Sequence, residues 1–271
     1  MFRALSAIPA QPLPPLDMVM PADAQRIATF SLWSVAAVMF AAAAVWWWRS
    51  GSPIYVLGML GGLLAAFNEP IADILVLCYH PMIGQNTAFS ALGRAIPVWA
   101  VGCYPVYFGG LSLLVYTMFR QGVTRRAFWV LVGVVVAGNV AFEWPVLASG
   151  VYVYYGDQPF TVLGFPVILG VVNVLGAVLG ALVMAHFADQ LTGARQLLIP
   201  LLPAATMLAS YAVILPDILT VASDAARPVK YLGAAAGVAA GLLVLDAIGR
   251  YAARRFPAHR VAAKPRLVQA V

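Results

Sequence analysis

The chain has 271 residues, of which 63% are hydrophobic and only 10% charged, with a mean hydropathy of +0.89 and a net charge of +6. A soluble domain carries about 25% charged residues, so this composition excludes one and implies a multi-pass membrane protein. The basic excess does not imply a nucleic-acid partner, because Lys and Arg collect in short loops and at the C-terminus, as membrane topology requires.

Residues 1–26 hold Pro9, Pro12, Pro14, Pro15 and Pro21, which interrupt any apolar run before it reaches signal-peptide length. An irregular arm that stays on the mature protein is expected there. Seven apolar segments follow, at about 27–48, 54–77, 96–119, 127–147, 162–186, 197–220 and 229–249. Each is near the roughly 20 residues that cross a hydrocarbon core, and the loops between them are too short for a soluble domain. The expected fold is therefore all-α: one seven-helix transmembrane domain over 27–249, followed by a basic tail at 250–271.

On this model Arg3, Arg26, Arg94, Arg227 and Lys230 lie on one side, and the other eleven basic residues lie on the opposite side. The richer side faces the cytoplasm, which puts the N-terminus outside and the C-terminus in the cytoplasm. Trp46, Trp47 and Trp48 then form an interfacial anchor, and the tail from Arg250 rests on anionic headgroups of the bilayer.

Only two glutamates occur, Glu69 in the second segment and Glu143 in the fourth; Asp73 and, in the sixth segment, Asp217 complete a set of four intramembrane acids. An acid at bilayer depth costs about 2.5–3.5 kcal/mol on insertion scales, so the Glu69 and Asp73 pair reads as used, with hydrogen bonding that glues this helix to a neighbour as the alternative. Segments two, four and six run the same way, which places all four acids at one depth near the outer leaflet. Each helix carries a proline beside its acid: Pro70, Pro145 and Pro216. Such a proline leaves the carbonyl four residues back without its donor, here Ala66, Ala141 and Ala212, and in lipid that carbonyl needs a partner or a wet cavity.

Helical spacing adds companions. Gly62, Ala66, Glu69 and Asp73 share a face of segment two, Asn139 stands one turn before Glu143, and Gly170, Asn173, Gly176 and Gly180 form a small-residue stripe on segment five. Asn68, Asn139, Asn173, Trp99, Tyr104, Tyr107, Tyr211 and Trp144 are the expected substrate-binding residues around the acids. The loop with Tyr152, Tyr154 and Tyr155 reads either as a lid or as an interfacial aromatic belt.

Cys78 and Cys103 show no metal spacing and read as packing residues, and His80, His186 and His259 are spread over segment ends and tail, so no metal and no cofactor is expected. No phosphate loop and no mid-helix lysine for a retinal is present. The remaining chemistry is that of a carboxylic acid in an apolar chamber, which can protonate an alkene or epoxide while aromatic faces stabilise the cation.

A seven-segment chain of this length, with an acid in segment two and another late in segment six, resembles the small integral-membrane terpene cyclases of fungal meroterpenoid pathways and their bacterial relatives. That resemblance implies metal-free, acid-initiated cyclisation of an isoprenoid substrate, with the two catalytic acids at Glu69 and Asp217. The stretch from Glu143 to Pro166, with Tyr152, Tyr154, Tyr155 and Gly164-Phe165-Pro166, is similar to the membrane carotenoid hydratases, which implies addition of water instead. Glu69, deepest along its helix, is the expected proton donor, with Asp217 its partner and Glu143 and Asp73 as further acids. Intramembrane acids on kinked helices also suit a proton-coupled transporter or channel, and that alternative stays open.

Overall fold

The computed structural model describes residues 12–258; the start of the expected arm and the tail from His259 onward lie outside the described residues. Helix α1 (Ala22–Ser50) begins behind Pro21, several residues earlier than expected, with Asp23 in its first turn, where the helix dipole favours an acid. It ends at Gly51, whose left-handed φ of 71° lets its N–H reach the Trp47 carbonyl.

The second segment is α2 (Ile54–Ala65), a 3₁₀ turn (Ala66–Asn68) and α3 (Glu69–Leu75). Pro70 offers no N–H, yet Ala66 is not orphaned as expected from the sequence: the Glu69 N–H takes its carbonyl within the 3₁₀ turn. The third segment is α4 (Val98–Tyr104), a π-helical stretch (Pro105–Leu111) and α5 (Ser112–Gln121). Pro105 withholds a backbone donor at the start of that stretch, a recognised cause of a local change in helical pitch.

After α6 (Arg125–Ala148) and α7 (Val167–His186), the sixth segment breaks at Ile214 into α8 (Leu201–Val213) and α9 (Leu215–Val221), bent by 68° just before Pro216. Helix α10 (Arg227–Arg255) closes the bundle and carries Arg250, Arg254 and Arg255 on its last turns, so the expected tail begins as helix. Six of these helices are long and apolar enough to cross a membrane, or seven if the bent pair is one span, which fits a multi-pass membrane protein.

The loops are less plain than an all-α reading expects. Among the described residues they hold three two-stranded antiparallel sheets: β1 (Cys78–Tyr79) with β4 (Val153–Tyr154), β2 (Thr87–Ala91) with β3 (Arg94–Pro97), and β5 (Thr161–Val162) with β6 (Phe165–Pro166). The last pair turns at Leu163 and Gly164, both at positive φ, and delays the start of α7 to residue 167.

Helix α7, apolar but for Asn173 and the terminal His186, is the central post and packs against α5, α6, α8 and α10. Its small-residue stripe meets α8: a Cβ on Gly176 would lie 3.2 Å from the Met207 Cα, and one on Gly180 3.0 Å from Thr206 Oγ1. At the end away from the sheets the bundle is filled by Val115, Phe119, Phe128, Val178, Leu245 and their neighbours. There Asp246 accepts from Arg125, Trp129 and Arg250, tying α6 to α10.

Candidate functional site

The acids converge because of how α3 ends. Glu69 and Asp73 stand one turn apart on α3, and the chain reverses directly after it through Leu77, held at a φ of 53° that a non-glycine residue adopts at a cost of about 1–3 kcal/mol. Leu77 is anchored by its carbonyl, which accepts from the Tyr155 N–H at 2.8 Å, and β1 is held by pairing Cys78 with Tyr154 and Tyr79 with Val153. Residues two apart on an extended chain share a side, so Cys78 and His80 both face back onto the acids while Tyr79 points away.

His80 is 3% exposed and Asp73 2%. The His80 ring packs against both Trp99 and Tyr152, with centroids at 5.4 and 5.6 Å, and those two rings also touch each other. Its Nδ1 lies 3.2 Å from Asp73 Oδ2, and its Nε2 lies 3.8 Å from Glu69 Oε1. The Tyr104 hydroxyl donates to the other Glu69 oxygen. Burial works to lower the His80 pKa, but the charge of Asp73 and its hydrogen bond, with Glu69 behind them, hold it above the ordinary value. The Cys78 thiol is pushed well up by burial first and then by the charges of Asp73 and Glu69. Burial, followed by Glu143, does the same to Tyr154.

These groups line a cavity of about 120 Å³. Around it stand Glu69, Asp73, Cys78, His80, Trp99, Cys103, Tyr104, Tyr107, Asn139, Glu143, Tyr152, Tyr154, Asn173 and Tyr211. Asn139 donates to the Tyr107 hydroxyl at 2.8 Å and to its own helix at the Val135 carbonyl. Glu143 differs from Glu69 and Asp73 on this cavity: its buried Oε2, like Oδ1 of Asp217 elsewhere in the bundle, has no hydrogen-bond partner among the described residues. Phe142, also on the lining, is 40% exposed, so the cavity reaches the outside of the bundle at α6.

Of the residues singled out from the sequence, Glu69, Asp73, Glu143, Asn139, Asn173, Trp99, Tyr104, Tyr107 and Tyr211 line this one cavity. Three residues do not join it. Asp217 is buried on α9, and the 68° bend turns it onto α10, where a Cβ on Gly237 would stand 3.3 Å from the Asp217 Cβ. Asn68 donates instead to the Ala204 carbonyl at 2.8 Å, fastening the 3₁₀ turn to α8. Trp144 is 52% exposed on the outer surface of α6.

Of the loop tyrosines, Tyr152 and Tyr154 line the cavity, and Tyr155 accepts from Arg94 Nη2 at 2.6 Å. Sequence reasoning missed His80 and dismissed Cys78. The available signal was Cys78-Tyr79-His80 itself, an alternating polar pair within a few residues of a buried acid.

No family model, no curated protein and no solved structure matches this chain.

Proposed function

We propose that the cavity carries out proton-initiated chemistry, cyclisation or hydration, on the end group of an isoprenoid dissolved in the membrane. One observation carries this reading: two glutamates share an aromatic-lined chamber, and one of them, Glu143, has a buried carboxyl oxygen with no partner among the described residues. Glu69 is engaged by Tyr104 and faces His80, so Glu143, rather than the Glu69 expected from depth alone, is the group free to give a proton to an alkene. Asp217 lines a different part of the bundle and has no part in the step. A cation formed next to Glu143 would face the rings of Tyr104, Tyr107, Trp99 and Tyr211, whose negative faces stabilise it.

The size of the chamber defines which part of the substrate enters. At about 120 Å³ it is comparable to the ~150 Å³ apolar cavities that hold a benzene ring, so it takes a ring-sized end group. The remaining chain leaves past Phe142 into lipid. The apolar filling at the opposite end favours this one-sided chamber over a path through the bundle. In this reading the cavity lies toward the outer leaflet and α10 ends at the cytoplasm, following the five-to-eleven division of basic residues.

The test is to express the chain in membranes supplied with polyprenyl substrates and analyse lipid extracts by mass spectrometry. A product of unchanged mass indicates cyclisation, and a gain of one water indicates hydration. Extracts identical to those of membranes lacking the protein, across linear and epoxidised polyenes, would remove this function.

A further inference from the structure

Asp73, Cys78 and His80 have no part in the proton step, yet they form the most compact group of metal-binding side chains among the described residues. One carboxylate oxygen, one thiol sulfur and one imidazole nitrogen lie within 4.8 Å of one another, and all three residues are buried. We propose that these three side chains bind a divalent transition-metal ion, zinc by their chemistry, with a fourth coordination position toward the cavity. The inference rests on their geometry and stands or falls separately from the isoprenoid reading.

The distances fit a shared ion. Oxygen and nitrogen ligands sit about 2.0–2.2 Å from zinc, which at a tetrahedral angle puts them roughly 3.3–3.5 Å apart. Asp73 Oδ2 and His80 Nδ1 are 3.2 Å apart. A zinc–sulfur bond of about 2.3 Å asks for roughly 3.5 Å from sulfur to either atom, and the Cys78 sulfur, within 4.8 Å of both, closes onto the ion as its side chain turns.

Donor type narrows the ion. Carboxylate, imidazole and thiolate are the three side-chain ligands zinc takes, whereas magnesium and calcium require oxygen throughout. The charges also close: an Asp73 carboxylate and a Cys78 thiolate balance a dication, and a neutral complex costs least to keep in an apolar site. Binding releases the Cys78 thiol proton and the proton held between Asp73 and His80 to solvent, and no electron changes hands.

The surroundings supply what metal-binding histidines usually have. A histidine bound through one nitrogen generally offers the other N–H to a carboxylate, which fixes the ring. His80 Nε2 lies 3.8 Å from Glu69 Oε1, a few tenths of an ångström beyond a hydrogen bond, Tyr104 holds Glu69 from the other side, and Trp99 and Tyr152 pack against the ring. Glu69 is thus a positioning residue for the ion, which accounts for a glutamate that is not free to act alone.

The experiment uses the full chain, free of any affinity tag, purified in detergent and passed through metal-free buffer. Elemental analysis should find about one zinc per chain, and exchange for cobalt should give a thiolate-to-cobalt charge-transfer band. Cys78→Ala should lose the band and the stoichiometric metal, Cys103→Ala on the same cavity should keep both, and Glu69→Gln should weaken binding by about 10–100-fold. Folded wild-type protein that holds no zinc and takes up no cobalt overturns the inference, whether or not the variants fold. Equal metal in Cys78→Ala and wild type overturns it as well.

Discussion

Replacing Gly62 by alanine measures how closely α2 and the π-helical stretch approach. A Cβ at Gly62 would lie 2.5 Å from the Gly109 nitrogen, 2.7 Å from its Cα and 2.8 Å from the Pro105 Cα, all backbone atoms. Carbon contacts settle at about 3.5–4.0 Å, so the two elements must part by roughly an ångström. Overpacking of this kind costs about 1–3 kcal/mol. Two other glycines grade the effect. At Gly58 the three nearest atoms to the new Cβ, at 2.6, 2.8 and 3.0 Å, all belong to the Leu113 side chain, which gives more readily than backbone. At Gly138 nothing lies within 4 Å, and removing a mid-helix glycine gains about 0.5–1 kcal/mol. Thermal unfolding in detergent should therefore rank Gly138→Ala above wild type, Gly58→Ala near or slightly below it, and Gly62→Ala lowest. Because the stretch that must move contains Tyr107 and follows Tyr104, Gly62→Ala should also distort the cavity. If Gly62→Ala melts together with Gly138→Ala, the backbones do not approach as described and the reasoning fails.

Glu143→Gln keeps shape and hydrogen-bonding capacity but has no acidic proton, so product formation in the mass-spectrometric assay should fall by about 10²–10⁴-fold in protein that still inserts and folds. Asp217→Asn should leave product yield within a few-fold of wild type; loss of activity as severe as that of Glu143→Gln would place Asp217 back in the reaction. Arg94 stands over the rings of Tyr79 and Tyr155 at 5.9 and 5.7 Å, and Arg94→Gln should lower the unfolding midpoint through loss of contacts worth about 0.5–2 kcal/mol. A single cysteine introduced at Ser50 in a background lacking Cys78 and Cys103 should resist impermeant thiol reagents added outside intact cells, and labelling there would reverse the proposed orientation.

The seven apolar segments were legible because lipid demands long unbroken runs; each overlaps one helix or broken helix, with ends that differ by up to about six residues. The meeting of the two glutamates at one cavity was legible for the same reason: where successive helices run antiparallel, position along a helix fixes height in the bundle. Rotation about the helix axis was less so. Asp217 has the right height, but the break at Ile214 swings α9 by 68°, and no hydropathy pattern encodes that angle. His80 and Cys78 were missed because their placement depends on Leu77 taking a conformation that leucine rarely adopts and on a strand partner in a distant loop. Local propensity carries neither signal.

The pairing of Cys78 with Tyr154 and Tyr79 with Val153 also sets an order of events during biosynthesis. At about 5–20 residues per second, the roughly 75 residues between the two strands take about 4–15 s to emerge. For most of that interval Glu69 and Asp73 have left the ribosome, while Glu143 and the loop tyrosines of the cavity do not yet exist as polypeptide. The nascent chain must shelter two carboxylates by other means, in the insertion machinery or at the headgroup boundary, until α6 arrives. A ribosome stalled after α5 should therefore leave the second segment only partly inserted.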